Sequence, residues 1–257
     1  GYFKDGNYGD GSELWAFIPG SLLSKMKNNL LKKQDQAFVD ASPTVADIFD
    51  GSDWKTVVLS ALGNGGDSLF CLDVTNPDNP QFMWEYTDHD LFRSRSSPSV
   101  AAVGQIVDAN GNPKWAAFFV SGEVAIDAYP TIFVIDAATG NPISMTESDG
   151  STITKIVLDA DSNGMGGIAS GQPAMIDSDY NGYVDRLYIG TDKGNMYKVN
   201  IPDDPESTDG RVSHCVINSD TETDDGDSVD TGNVGNPIYG SPTVVVDNTI
   251  ASDGSIS

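Results

Sequence analysis

Short apolar runs separated by polar, turn-forming breaks dominate the chain after about residue 35, and a helical period appears only before it. Leu22, Leu23, Met26, Leu30 and Leu31 recur at three- and four-residue spacing, which predicts an amphipathic helix. Pro19-Gly20-Ser21 can start and cap it, and Lys32 and Lys33 fall in its last turn, where cations suit the helix dipole. The remainder reads as strands and turns.

The strands repeat as a phrase. A small polar residue, a proline and a strand open it at Ser42-Pro43-Thr44-Val45, Ser97-Pro98-Ser99-Val100, Gln172-Pro173-Ala174-Met175 and Ser241-Pro242-Thr243-Val244. A second strand follows the first three openings, at Trp54 to Leu59, Trp115 to Val120 and Arg186 to Gly190. A third ends in a polar turn, at Leu69 to Val74, Ile132 to Asp136 and Asn195 to Val199. Small antiparallel units that cannot bury their own faces, repeated in order, are the signature of propeller blades. A β-sandwich does not predict the same three-part phrase three times. The fold class expected is therefore all-β, a β-propeller with one short N-terminal helix. About three blades are complete and a fourth opens at Ser241, so residues 1–257 read as part of a single propeller domain. Asn64-Gly65, Asn110-Gly111, Asn163-Gly164 and Asn181-Gly182 supply the positive φ of tight hairpins.

Charge changes the picture of partners. With 38 Asp and Glu against 14 Lys and Arg, the net charge is −24. Such a surface repels nucleic acid and anionic lipid, and suits a medium containing divalent cations. Acids concentrate late, and about residues 203–232 read as an acidic, solvated insertion. No apolar run is long enough for a membrane helix, so no membrane insertion is expected. The start at Gly1 has no initiator Met and no signal-like segment, and reads as a mature product or a fragment. Cys71 lies in an apolar strand and reads as a buried small hydrophobe, and a disulfide to Cys215 is left open.

The segment richest in chemistry is Asp177-Ser178-Asp179-Tyr180-Asn181-Gly182-Tyr183-Val184-Asp185. Side-chain oxygens at positions 1, 3, 5 and 9 (Asp177, Asp179, Asn181 and Asp185), with the Tyr183 carbonyl at position 7 and a turn-permitting Gly182, match the hard-oxygen set that Ca2+ takes. Position 12 is Tyr188 within a strand, so the helical EF-hand setting is absent and the loop would join two strands. Carboxylates about 5 Å apart repel by about 3 kcal/mol per pair at an effective dielectric of 20, which a cation would relieve. The competing reading is an Asx-rich turn without metal. A weaker echo, Asp159, Asp161 and Asn163, is a second metal candidate, although Gly167 stands where the last ligand belongs.

Signals for catalysis are thin: the two histidines, His89 and His214, sit in no nucleophile or ligand pattern, and no nucleophile elbow or phosphate loop occurs. Gly11-Ser12-Glu13-Leu14-Trp15-Ala16-Phe17-Ile18-Pro19, Phe38 to Val45, Trp54 to Val58, Leu62 to Thr75, the aspartate loop and Gly194 to Lys198 together resemble the C-terminal propeller of PilY-type type IV pilus tip proteins. That resemblance implies a distorted, roughly seven-bladed ring of which this chain is a fragment, so the remaining blades, in the same or another chain, are an expected partner. It further implies a non-enzymatic, calcium-binding adhesin and biogenesis module, acting with the minor pilins of the pilus tip. Its location would be extracellular, on the cell surface at the pilus tip, or at the outer membrane and periplasm during assembly, with a host or abiotic surface ligand. The rival reading is a quinoprotein-like dehydrogenase holding pyrroloquinoline quinone. Phe133-Val134-Ile135-Asp136-Ala137-Ala138-Thr139-Gly140 resembles the blades of that superfamily, but its vicinal cysteine pair is missing.

Overall fold

The structure is a computed structural model that describes residues 13–32, 37–88, 91, 101–121, 131–147, 149–158, 171–191, 196–202, 213–217 and 241–243. Three four-stranded antiparallel sheets dominate it. The first comprises β1 (Thr44–Phe49), β2 (Trp54–Ala61), β3 (Ser68–Asp73) and β4 (Gln81–Thr87), paired in chain order. The second comprises β5 (Ala102–Val107), β6 (Pro113–Val120), β7 (Thr131–Asp136) and, after a small hairpin of β8 (Met145–Thr146) and β9 (Thr152–Ile153), β10 (Lys155–Val157). In the third, β11 (Ala174–Ile176), β12 (Arg186–Gly190), β13 (Met196–Asn200) and β14 (Ser213–Ile217) follow the same order.

Sheet-to-sheet packing makes these blades. Ile48, Val57, Leu59, Cys71 and Trp84 of the first sheet bury against Phe119, Phe133 and Ile135 of the second. The other face of the second sheet, with Ile106, Phe118, Val134 and Ile156, buries against Leu187, Ile189, Tyr197 and Val199 of the third. Each such apolar side chain contributes about 1.5–3 kcal/mol over its exposed state. Strand β7 is buried along its whole length because it lies in the middle of this stack, which explains its unbroken apolar run. The inner strands converge as well, since the Ala101 carbonyl accepts from the Thr44 hydroxyl (2.6 Å) and from the Gln172 amide (2.5 Å).

The three-part phrase therefore corresponds to the inner three strands of each sheet, although the opening at Ser97 to Val100 lies outside the described residues, and the outer strands β4, β10 and β14 were not legible in it. Strand β14 lies inside the stretch 203–232 expected as an insertion, so part of that acid-rich stretch is blade. Residues 241–243, where a fourth blade was expected to open, carry no strand. Among the Asn-Gly pairs, Gly111 and Gly182 have the positive φ expected (80° and 96°), but Gly65 does not. Gly65 is required by closeness instead, because a Cβ there would overlap the Phe38 carbonyl oxygen. Asn163-Gly164 lies outside the described residues.

The expected helix is present, as a 3-10 turn Gly20–Leu22 running into α1 (Leu23–Lys32). Its cap differs from expectation. No side chain of Pro19-Gly20-Ser21 caps it; the Glu85 carboxylate of β4 accepts from the N–H of Gly20 (2.9 Å) and of Ser21 (3.2 Å). Phe17 seats the preceding segment by packing on the rings of Phe70 and Phe82.

Candidate metal-binding loop

The loop from Asp177 to Asp185 joins β11 to β12, so one antiparallel pair sets both of its ends. Its register can be compared with the equivalent hairpins of the other sheets. The second strand meets the turn residue of the third at Val57↔Asp73, Ala116↔Asp136 and Arg186↔Asn200. On the other side those residues pair with Ala46, Gly104 and Ile176. Beyond Ala46 and Gly104 the first two hairpins continue for three more rungs, ending at Phe49↔Trp54 and Val107↔Pro113. In the third sheet the ladder stops at Ile176↔Arg186, and a stretch of similar length becomes loop.

The loop replaces ladder bonds with side-chain ones. Asp177 accepts from the N–H of Asn181 (3.0 Å) and Gly182 (2.8 Å), Asp179 also accepts from the Asn181 N–H (3.2 Å), and Asn181 accepts from Tyr183 (2.8 Å). Both Asp185 carboxylate oxygens lie 3.1 Å from the Ser178 N–H, and the Ser178 hydroxyl donates to one of them. Tyr180, at the tip, is in the left-handed region (φ 62°) and exposed. Gly182 has open space where a Cβ would sit, so its role is the positive φ alone.

The base of the loop is anchored to both neighbours. The Val184 N–H donates to the Gln105 carbonyl of β5 (2.7 Å), Asp185 N–H to Ile176 (2.9 Å), and Ile201 N–H to the Asp185 carbonyl (2.7 Å). Val184 is buried in the core between the second and third sheets.

Shorter turns show which features are generic. Asp50 accepts from the N–H of Ser52 and Asp53 (2.9 Å each), and Asp108 from Asn110 (2.8 Å) and Asn112 (2.9 Å). An aspartate that opens the first turn of a sheet is therefore a common device here. Asn110 and Asn112 already put amide groups at positions 3 and 5 of the second turn, so the carboxylates Asp179 and Asp185 are what the third turn adds.

Cations differ too. Lys55 bridges Asp50 (3.3 Å) and Asp73 (3.2 Å), and Lys114 meets Asp136 (3.2 Å), tying turns at the ends of the first two sheets. Hydrogen bonds from the N–H groups of Asp53 and Ser52, with Lys55, hold the Asp50 carboxyl below its ordinary range. Burial works to raise Asp73, but Thr75 and Lys55 outweigh it and leave its carboxyl lowered; hydrogen bonds to Asp73 and Asp50 raise Lys55. By register the position of these lysines is Val184 in the third sheet. There an apolar side chain, buried in the core, stands in place of the cation.

All five predicted ligands thus share one loop. Asp159, Asp161 and Asn163 lie outside the described residues. Among the described residues, no three His, Cys, Asp or Glu side chains are drawn together as a ready metal cluster, because the loop carboxylates face the loop's own N–H groups. The donor set itself, carboxylates, an amide oxygen and a carbonyl, is the hard-oxygen chemistry of Ca2+ and not that of softer metals. Sequence reasoning missed Ser178, which bonds Asp185 within the loop, and Gln105 and Gly104, whose parts appear only when the sheets are packed.

The model of the PilY1 beta-propeller domain family matches residues 21–251. The type IV pilus biogenesis factor PilY1 of Pseudomonas aeruginosa is 31% identical over 201 residues, covering 75% of this chain and 16% of that protein. A PilY1 homolog from Xylella fastidiosa is 28% identical over 202 residues, covering 74% and 13%. The crystal structure of the P. aeruginosa PilY1 C-terminal domain superposes with a TM-score of 0.63 at 28% identity, over 93% of this chain and 46% of that one. The chain thus spans a small part of its full-length relatives and under half of the solved domain. Strand phrases, stacked four-stranded sheets and these matches agree: the chain belongs to the PilY1 β-propeller domain family.

Proposed function

We propose that this chain is a calcium-binding, non-enzymatic propeller segment of a type IV pilus factor, supporting pilus biogenesis, calcium-regulated extension and retraction, and surface attachment. Its partners would be minor pilins at the pilus tip and the remaining blades of the ring, at the cell surface or in the envelope during assembly. The pilus role rests on the relatives, which are named as type IV pilus biogenesis factors. No observation favours the quinoprotein reading.

One observation carries the calcium reading. In the third sheet a stretch that elsewhere forms ladder is given over to a loop with oxygen donors at positions 1, 3, 5, 7 and 9, and the lysine that ties the equivalent turns is replaced by Val184. Asp177, Asp179, Asn181 and Asp185 would hold the ion with side-chain oxygens, and Tyr183 with its carbonyl. Binding exchanges loop hydrogen bonds, including those of Ser178 to Asp185, for metal–oxygen bonds.

Calorimetric titration of calcium into metal-stripped protein, beside Asp185→Ala, tests this. Saturable binding at one site, lost in the variant, is expected. Folded wild-type protein that takes up no calcium would remove the reading.

A further inference from the structure

We propose that Gly104, a residue of the second sheet, is a positioning residue for the calcium loop of the third, so that metal affinity depends on the junction between the two sheets. The inference rests on the calcium reading above.

The argument begins with why residue 104 is a glycine. Glycine within a strand costs about 0.5–1 kcal/mol relative to alanine through backbone entropy, so it persists where something needs the room. Gly104 lies in regular β5 and does not have a positive φ, so its backbone is open to any residue. Space is the reason that remains. A Cβ on Gly104 would lie 2.5 Å from Val184 Cγ2 and 3.1 Å from the Met175 sulfur. The equivalent position in the first sheet is Ala46, which packs into the core toward the second sheet, where the facing hairpin is ladder and no loop side chain descends.

Val184 cannot easily yield. It is 8% exposed, sits in the core between the sheets, and its N–H is fixed to the Gln105 carbonyl at 2.7 Å. Its chain neighbours are two ligands, the Tyr183 carbonyl and the Asp185 carboxylate. Asp185 is pinned in turn through its N–H to Ile176 and its carbonyl to Ile201. Calcium holds its oxygens at about 2.3–2.6 Å, so displacing Val184 by a few tenths of an ångström spoils two ligands together. Met175 is flexible and can move aside, which leaves Val184 as the sensitive contact. Coupling of this kind is reciprocal: whatever the junction does for affinity, bound calcium does for the junction.

Calcium titration of wild type, Gly104→Ala, Val184→Ala and the double variant tests this, with apo folding checked by far-UV circular dichroism. Gly104→Ala should weaken binding by about tenfold or more, the scale on which groups that orient metal ligands act. In the double variant, where the added methyl meets a void, affinity should return to that of Val184→Ala alone. Calcium should also slow hydrogen exchange of the Val184 amide in wild type and much less in Gly104→Ala. Should Gly104→Ala not fold, Val184→Ile presses the same contact from the loop side and should lose affinity likewise. Wild-type binding left unchanged by Gly104→Ala, or a loss that Val184→Ala does not rescue, overturns the proposal and leaves the calcium loop standing. Folded wild type that binds no calcium overturns both.

Discussion

The junction between the first and second sheets turns on Trp84 and Gly140, and substituting Gly140→Ala probes it. Trp84 is 6% exposed, and its indole N–H donates to the Ala137 carbonyl at 2.9 Å. Gly140 has φ 75°, and a Cβ there would lie 2.6 Å from Trp84 Cγ and 2.8 Å from its Cβ and Cδ2. The left-handed backbone alone costs an alanine about 1–2 kcal/mol. Forcing the indole aside adds about 1–3 kcal/mol of overpacking, part of it the strained bond to Ala137. Gly140→Ala should therefore destabilise by about 2–5 kcal/mol in the wild-type background. With Trp84→Ala already in place Cγ and Cδ2 are gone and only the 2.8 Å contact to Cβ is left, so the steric part shrinks and the cost should fall toward the roughly 1–2 kcal/mol of the left-handed backbone. Urea unfolding followed by far-UV circular dichroism measures both, provided the denaturant slopes of the four proteins agree. An equal cost in the two backgrounds, or one below about 0.5 kcal/mol in wild type, would refute the steric account of Gly140.

Other expectations are simpler. Asp50 and Asp73 have folded-state carboxyls lowered from 3.8, so their contribution is present above that value and lost as pH falls through the lowered ones; Lys55 is raised from 10.5, so its contribution holds below that value and is lost at higher pH. Lys55→Met should thus destabilise at neutral pH and progressively less below pH 3.8, measured by denaturant titration across pH; a pH-independent difference would contradict the carboxylate link. Cys71 is fully buried, free, and its thiol is raised to about 12 by burial, so peptide mapping after alkylation at mildly alkaline pH should find it unmodified until denaturant is added. Rapid modification in folded protein would mean that the first sheet opens.

How much of this was legible follows from which interactions are local. The middle strands announce themselves because both of their faces are covered, as in Ser68–Asp73 and Thr131–Asp136. Outer strands do not: Gln81–Thr87 is exposed at both ends, Lys155–Val157 has three residues, and Ser213–Ile217 is embedded among acids. The helix was legible but its cap was not, since Glu85 lies 65 residues from Gly20 and only the fold brings them together. The loop oxygens proposed as ligands could be named from the sequence for the opposite reason. A cation site built in one loop needs its oxygens at fixed spacing along the chain, and that spacing is sequence. Its supports are not local, because Gln105 and Gly104 belong to another sheet.

The register of the third sheet gives the calcium reading a physical consequence. Hairpins of the first two sheets hold their ends with three ladder rungs and a lysine, which depend on nothing in solution. The third gives up those rungs, each worth about 1 kcal/mol net per hydrogen bond, and recovers part of the loss through Asp177, Asn181 and Ser178. On the calcium reading, a bound cation would supply part of the remainder. A bound ion supplies about 2.7 kcal/mol at a hundredfold excess over its dissociation constant and nothing in its absence. On that reading, ladder length and cation trade against each other within one repeat. Because Val184 carries the loop into the core beside Gly104, calcium bound as proposed would act on the junction between blades, and a change in external calcium would become a change in how firmly the two sheets are joined.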